Sequence, residues 1–155
     1  MQGETDPRAV IDAIKRAVDD HDLEALAACF HPDYLSEQPF HPGRTFRGSE
    51  QMRKNWSQIF RSVPDIRANV LRCAVDGNTA WTEWELRGTR LDGAPALMAM
   101  VTIAGTDGGQ VVWMRLYLEP VTPGAGIDAS VREHMAARRS GATPGRGPES
   151  DGGRA

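Results

Sequence analysis

The sequence has little of what marks specialised protein classes. Only two of its 155 residues are cysteines, Cys29 and Cys73, and they form no CxxC pair. Because each lies in an apolar stretch, we expect two buried free thiols rather than a disulfide, as in a reducing cytosol. The longest apolar runs fall far short of the ~20 residues that span a bilayer. A disulfide scaffold and a transmembrane protein are therefore both excluded.

The sequence also lacks an excess of basic charge. Lys and Arg total 18 against 21 Asp and Glu, which gives a net charge of −3. This balance predicts neither a nucleic-acid partner nor a membrane-surface partner. No basic segment followed by an apolar one opens the sequence, so no secretory signal is indicated and we expect a cytoplasmic protein.

The first half of the sequence has helical periodicity. Asp6 and Pro7 predict the start of a first helix, and Asp22 is placed to cap a short second one. The third helix is predicted from a cap at Ser49 to Pro64, with an apolar stripe at helical spacing. The stripe comprises Met52, Trp56, Ile59, Phe60 and Val63.

After the third helix the apolar period changes to two residues, which is typical of strands. Three Asp-Gly turn signals follow, around Gly77, Gly93 and Gly108, and they are strong hairpin signals between apolar runs. They predict four antiparallel strands over about 65–75, 79–90, 95–104 and 110–119, and then a short helix.

Helices followed by a meander predict an α+β fold. We expect a cone in which three N-terminal helices pack on a curved, mainly antiparallel sheet, made of a short first strand plus the four-strand meander. Residues 1–125 would form this domain, and residues 126–139 a C-terminal helix. Residues 140–155 are rich in glycine, have no hydrophobic period and are predicted to be a disordered tail.

Four segments of the sequence resemble a known family. They are Phe30-His31-Pro32-Asp33-Tyr34, Phe46-Arg47-Gly48, Trp84-Glu85-Leu86-Arg87-Gly88-Thr89 and Arg115-Leu116-Tyr117-Leu118-Glu119-Pro120. In this order they look like the SnoaL-like branch of the nuclear transport factor 2-like superfamily, over residues 7–120. That superfamily includes ketosteroid isomerases, polyketide cyclases, epoxide hydrolases and non-catalytic binding modules. The resemblance implies a small-molecule pocket between the sheet and the helices.

The resemblance also implies which side chains line that pocket. Ketosteroid isomerase chemistry is rejected, because Ile14, Gln38 and Ala99 stand where the isomerase pattern has its tyrosine, its general base and its second acid. Trp56 and Trp84 are the best candidate ligand contacts, although both could simply fill the core. The expected lining is Tyr34, Gln38, Trp56, Phe60, Trp84, Leu86, Val101, Met114 and Leu116.

Two polar residues beside this pocket are candidate catalytic groups. Glu37 and His41 flank the strand that carries Tyr34 and Gln38, and a Glu and a His at one pocket could supply an acid and a base. The alternative is that Glu37 points to solvent and His41 lies in an exposed loop. No two histidines have metal-ligand spacing, so we expect no metal and no other cofactor.

The other sheet face has the composition of an interface, with aromatic, Met and paired charged residues. It predicts a homodimer. In the alternative, a β-bulge inverts one strand, so that Glu83, Glu85, Arg115 and Tyr117 line the cavity as an acid–base set. The expected interface residues are Trp81, Glu83, Met100, Trp113, Arg115 and Tyr117.

Two functions remain open from the sequence. The first is a SnoaL-like protein that binds an apolar, ring-containing small molecule, with weak isomerase, cyclase or hydrolase activity in secondary metabolism. The second is a non-catalytic dimerising module with no metabolite ligand. A titratable side chain directed into the pocket would favour catalysis.

Overall fold

The computed structural model of the protein describes residues 5–124 and 126–140. It divides the chain into a unit that ends at Val121 and a second unit that begins at Thr122. Apart from its first residue, the tail predicted over residues 140–155 lies outside the described residues.

The described part of the first unit contains three α-helices, α1 (Pro7–Asp19), α2 (Leu23–Ala28) and α3 (Ser49–Ser62), and a short 3-10 helix over Pro42–Arg44. Asp6 and Asp22 cap α1 and α2, as their carboxylates accept hydrogen bonds from backbone N–H groups at 2.9 Å. The cap position of α3 is occupied by Gly48 rather than by the predicted Ser49. Gly48 has φ +97°, a conformation that favours glycine, and this sharp turn makes Ser49 the first helical residue.

Six strands follow the order β2-β1-β6-β5-β4-β3 in one sheet. Strand β1 pairs in parallel with β6, and all other pairs are antiparallel. The α+β class and the meander are thereby confirmed, while the two-residue strand β2 was not predicted. The bounds are β1 (Phe30–Glu37), β2 (Phe46–Arg47), β3 (Arg67–Asp76), β4 (Thr79–Thr89), β5 (Pro95–Asp107) and β6 (Gln110–Pro120).

The inner face of the sheet packs against the helices and forms the core. On β4, alternate residues face inward as expected, and this set is Ala80, Thr82, Trp84 and Leu86. From α1, the buried side chains are Pro7, Val10, Ile11, Ile14, Ala17 and Val18. These apolar positions recur at helical spacing, so one continuous face of α1 covers the sheet.

The phase predicted for β5 was wrong. Met100, expected on the outer face, lies opposite Trp84 on the inner face, whereas Val101, expected in the pocket, lies opposite exposed Glu83 and is 40% exposed. The phase expected from the family resemblance is displaced by one residue from the observed register, in which Thr89 of β4 pairs with Pro95 of β5. A shift of one residue at a hairpin moves every side chain of the second strand to the other face.

Both cysteines are free thiols. Cys29 is buried and Cys73 is half-buried. Burial raises the pKa of the Cys29 thiol, so it stays protonated, and its Sγ donates to the Ala25 carbonyl at 3.3 Å. Cys29 is therefore part of the core rather than a nucleophile.

The second unit contains the helix α4 (Ile127–Ser140). Its apolar residues Ile127, Val131 and Met135 are all exposed. Across the residues that the structure describes, no helix combines the length and the apolar character needed to cross a membrane.

Candidate functional site

A cavity of about 530 Å³ lies between α3 and the inner face of the sheet. A smaller cavity of about 70 Å³ lies beside it, deeper in the core. The two share much of their lining, and the shared residues are Tyr34, Met52, Trp56, Leu86, Met100 and Leu116. Together they form a candidate site with a wide outer part and a narrow inner part.

Helix α3 forms one wall of the larger cavity. Its contributing side chains recur at helical spacing, because only one face of the helix is turned toward the sheet. The opposite wall is the inner face of β4, β5 and β6, including Leu86, Met98 and Leu118. The α3 residues are Met52, Asn55, Trp56, Gln58, Ile59 and Ser62. The site is therefore mostly apolar on the sheet side, while α3 adds amides and a hydroxyl.

Two hydroxyl groups from β1 enter this cavity. Tyr34 is 3% exposed and Ser36 is 2% exposed, and both line the larger cavity because they share the inward phase of β1. The Tyr34 ring packs against Phe30 and Phe46, at centroid distances of 4.8 and 5.8 Å. Burial raises the pKa of Tyr34 to about 12, although a hydrogen bond with Ser36 acts against this. The phenol is therefore neutral over the whole physiological range.

Two side chains that line the smaller cavity form a hydrogen bond with each other. The indole Nε1 of Trp84 donates to the Thr102 hydroxyl at 2.9 Å, and both residues are nearly fully buried. Trp84 lines only the small cavity, as does Met114. Trp84 is thus mainly a core residue, while Trp56 lines both cavities.

The structure brings most of the predicted lining residues together. Tyr34, Gln38, Trp56, Leu86 and Leu116 all line the larger cavity. Sequence reasoning missed Ser36, although it shares the strand phase of Tyr34, and also Asn55 and Ser62, which lie on the cavity face of α3.

Phe60 and Val101 line neither cavity, contrary to expectation. The Phe60 ring packs against His21 and Trp56, at 5.1 and 5.5 Å, on the flank of α3. Val101 lies on the outer face because it pairs with outward-facing Glu83 of β4. All five residues of the predicted α3 stripe pack in or against the core, and Phe60 is the one among them that does not line the larger cavity.

The two candidate catalytic residues also lie outside the cavity. His41 Nε2 contacts Glu119 Oε1 at 2.8 Å, and Glu119 is on the outward phase of β6. Glu37 follows inward-facing Ser36 on β1 and pairs in register with exposed Arg115. Neither side chain belongs to the described lining, so the structure does not bring these two residues together with the cavity, and their catalytic role stays a prediction.

The alternative acid–base set lies on the outer face as well. Glu83 is exposed and lies 3.8 Å from Arg72, and Glu85 forms an ion pair with Arg87. Arg115 and Tyr117 share the outward phase of β6. Within the described lining of the larger cavity, the titratable residues are Tyr34 and Arg87, so no carboxylate or imidazole faces a ligand there.

The outer sheet face combines exposed aromatic residues with charges. Trp81 is 51% exposed, and Phe40, which is 65% exposed, packs edge-on against Tyr117 at 5.3 Å. The Trp113 indole covers Gly105, where a β-carbon would overlap it.

Nowhere in the described part of the chain do three or more His, Cys, Asp or Glu side chains form a group that could hold a metal ion.

Comparisons with known proteins agree with this fold. The SnoaL-like domain family matches residues 10–115. Among curated proteins, no sequence matches the chain.

Several solved structures are similar. Wild-type IdmH, a candidate polyketide cyclase from Streptomyces antibioticus, is 23% identical, with a TM-score of 0.65 over 74% of this chain and 92% of its own. Its 96–104 loop truncation variant is 25% identical, with a TM-score of 0.64 over 73% and 92% of the two chains.

More distant structures share the fold. A hypothetical protein with a ketosteroid isomerase-like fold from Catenulispora acidiphila, in complex with trimethylamine, is 18% identical, with a TM-score of 0.61 over 70% of this chain and 83% of its own. An epoxide hydrolase of the LEH-like type from M. tuberculosis is 16% identical, with a TM-score of 0.64 over 75% and 84% of the two chains.

Proposed function

The chain belongs to the SnoaL-like family, and on that premise we propose that it binds an apolar, ring-containing small molecule in the cavity between α3 and the sheet. The observation that carries this proposal is the size and character of the cavity. Its volume of about 530 Å³ lies in the range of small-molecule sites. Trp56 and Ile59 on one side and Leu86, Met98 and Met100 on the other offer flat, adaptable apolar surfaces.

The names of similar structures support the same class of ligand. IdmH is a candidate polyketide cyclase, and the M. tuberculosis protein is an epoxide hydrolase. Both descriptions imply organic substrates of small size. A place in secondary metabolism is consistent with the first of them.

The chemistry of the lining favours binding over acid–base catalysis. A proton-transferring group works best when its pKa lies near the operating pH. Tyr34, with a pKa of about 12, cannot exchange a proton efficiently near neutrality, and Arg87 stays protonated. We infer that the protein acts on its ligand mainly by holding it, and that a cyclase-like reaction would be promoted only by orientation.

Equilibrium dialysis against 2-ethylnaphthalene tests this proposal. Wild-type protein is expected to bind the hydrocarbon, and Trp56→Ala to weaken binding by roughly tenfold or more, because an indole surface is lost from the wall. Leu91→Ala is the matched control, since Leu91 is 78% exposed in the β4–β5 turn. Absence of binding by wild type, or equal binding by Trp56→Ala, would overturn the proposal.

We also propose that the protein is a homodimer through the outer sheet face. Trp81 and Val101 are 51% and 40% exposed there, close to Trp113 and Tyr117. An apolar patch of this kind on a monomer is a liability, and the nearby Glu83 and Arg115 supply complementary charges. A dimerising module without a ligand is the second candidate function, and it would dimerise while binding no naphthalene.

A further inference from the structure

We propose that the hydroxyl pair of Tyr34 and Ser36 anchors a carbonyl oxygen of the ligand, so that the ligand class is cyclic or aromatic ketones rather than hydrocarbons. This inference rests on the proposed function, because it requires that the cavity bind a ring-containing molecule. It assigns to two β1 residues the role of fixing the ligand's orientation.

The pair is held rigidly at the cavity wall. Strand β1 lies between β2 and β6, and Ser36 pairs in register with Phe46 on one side and Met114 on the other. The Tyr34 ring is fixed between Phe30 and Phe46. A polar group held this way loses little conformational entropy when a ligand binds, which favours selective recognition.

Hydrogen-bond accounting leaves one donor available. Each hydroxyl has one O–H group, so a hydrogen bond between the Tyr34 and Ser36 hydroxyls can use only one of the two O–H groups. The other O–H belongs to a side chain that is nearly fully buried and lines the cavity. A buried donor gains most from an acceptor that the ligand itself supplies.

The charges around the pair select a neutral acceptor. Tyr34 remains a phenol and therefore a donor, since its pKa is about 12. Arg87 is the cation in the described lining, and it is exposed and already paired with Glu85. A ligand carboxylate at the hydroxyl pair would lose its hydration without a counter-charge, which is costly, whereas a ketone oxygen needs only a donor.

Two ligands of nearly equal shape test the inference. In equilibrium dialysis, 2-acetylnaphthalene is expected to bind wild type more tightly than 2-ethylnaphthalene. Tyr34→Phe should weaken ketone binding by roughly three- to tenfold and leave hydrocarbon binding unchanged, because one hydrogen bond is lost. Ser36→Ala should act in the same direction. Ser57→Ala, on α3 but outside the described lining of both cavities, is the control that should preserve the preference for the ketone.

The carbonyl stretching band of bound 2-acetylnaphthalene gives a second readout. It should lie at lower frequency in wild type than in Tyr34→Phe, because hydrogen bonding weakens the C=O bond. If both ligands bind equally and the band is the same in both proteins, the carbonyl anchor is wrong and the proposed function stands. If neither ligand binds wild type, the proposed function itself fails. Unchanged hydrocarbon binding by Tyr34→Phe shows that the variant is folded.

Discussion

Individual hydrogen bonds in the core of this protein can be tested by single substitutions. The clearest is the hydrogen bond from Trp84 Nε1 to the Thr102 hydroxyl, at 2.9 Å, between residues that are 3% and 1% exposed. Buried indole N–H groups need an acceptor, and here the acceptor comes from the neighbouring strand β5.

Thr102→Val should destabilise the protein by about 1–3 kcal/mol, because it leaves the Trp84 donor unsatisfied while keeping the side-chain shape. Thr102→Ser keeps the hydroxyl and loses one methyl group, so it should cost less, about 1 kcal/mol. Urea denaturation of the three proteins measures both values. A valine variant at least as stable as the serine variant would contradict the role given to this hydrogen bond.

A second prediction at the scale of single residues concerns the packing of Trp113 over Gly105. It lies beneath the Trp113 indole, and a β-carbon there would overlap the ring. Gly105→Ala should therefore displace Trp113 and cost about 1–3 kcal/mol, as overpacking does. Gly43→Ala is the control, because no atom lies within 4 Å of the position that its β-carbon would take. Equal stability of the two variants, with unchanged tryptophan emission, would show that Trp113 is not held over Gly105.

At the scale of elements, Asp19 connects α1 to β3. One carboxylate oxygen accepts from the Ala68 backbone N–H at 2.8 Å, and the other contacts Lys15 Nζ at 2.6 Å. Burial alone raises the pKa of Asp19, but these two hydrogen bonds and the nearby positive charges outweigh it and lower the pKa below its ordinary value. The charged form of Asp19 therefore stabilises the packing of the helix on the sheet.

The sign of this shift sets a pH dependence. A carboxyl group with a lowered folded-state pKa adds stability that is present above its unfolded value and is lost as the pH falls through its folded value. Asp19→Asn should thus reduce the stability of the protein at pH 7 and make its decline below about pH 4 less steep. Asp12→Asn, on the exposed side of α1, is the control. Chemical denaturation at about pH 7 and about pH 3 tests this, and equal losses at both values would contradict it.

The elements were predictable because their signals are local. Capping by Asp6 and Asp22 and the glycines of the three hairpin turns each act within a few residues, and the observed helices and strands begin and end within a few residues of expectation. The strand β2 was missed because two residues carry no period. Its pairing with β1 depends on the fold as a whole.

The phase of β5 was not predictable from its own sequence. Residues 96–104 are apolar or small on both alternations, so the period identifies a strand without saying which face is buried. Only pairing with β4 decides this, and the phase taken from the family resemblance exchanged Met100 with Val101. The lining of the candidate site was predictable on β1 and β4, where polar and apolar residues alternate. It was not predictable on β5, where they do not alternate.

At the scale of the whole first unit, one sheet separates two chemically different faces. The inner face has a mostly apolar cavity with two hydroxyl groups, and the charged residues Glu83, Arg115 and Glu119 lie on the outer face. A ligand on the inner side and a second copy of the chain on the outer side would therefore not compete for the same residues. Loss of ligand binding should therefore leave the dimer intact, and loss of the dimer should leave ligand binding intact.

This independence allows a sharp test of the homodimer. Trp81→Glu would place an unpaired charge at the centre of the proposed interface, which is costly, so the variant should sediment as a monomer where wild type sediments as a dimer. Leu91→Glu is the matched control, since it adds the same charge at a 78% exposed turn residue away from the outer face. The Trp81→Glu monomer should still bind 2-ethylnaphthalene, because Trp81 lies outside the cavity lining. Wild type that is monomeric at tens of micromolar in sedimentation velocity would exclude the dimer, and a dimeric Trp81→Glu variant would place the interface elsewhere.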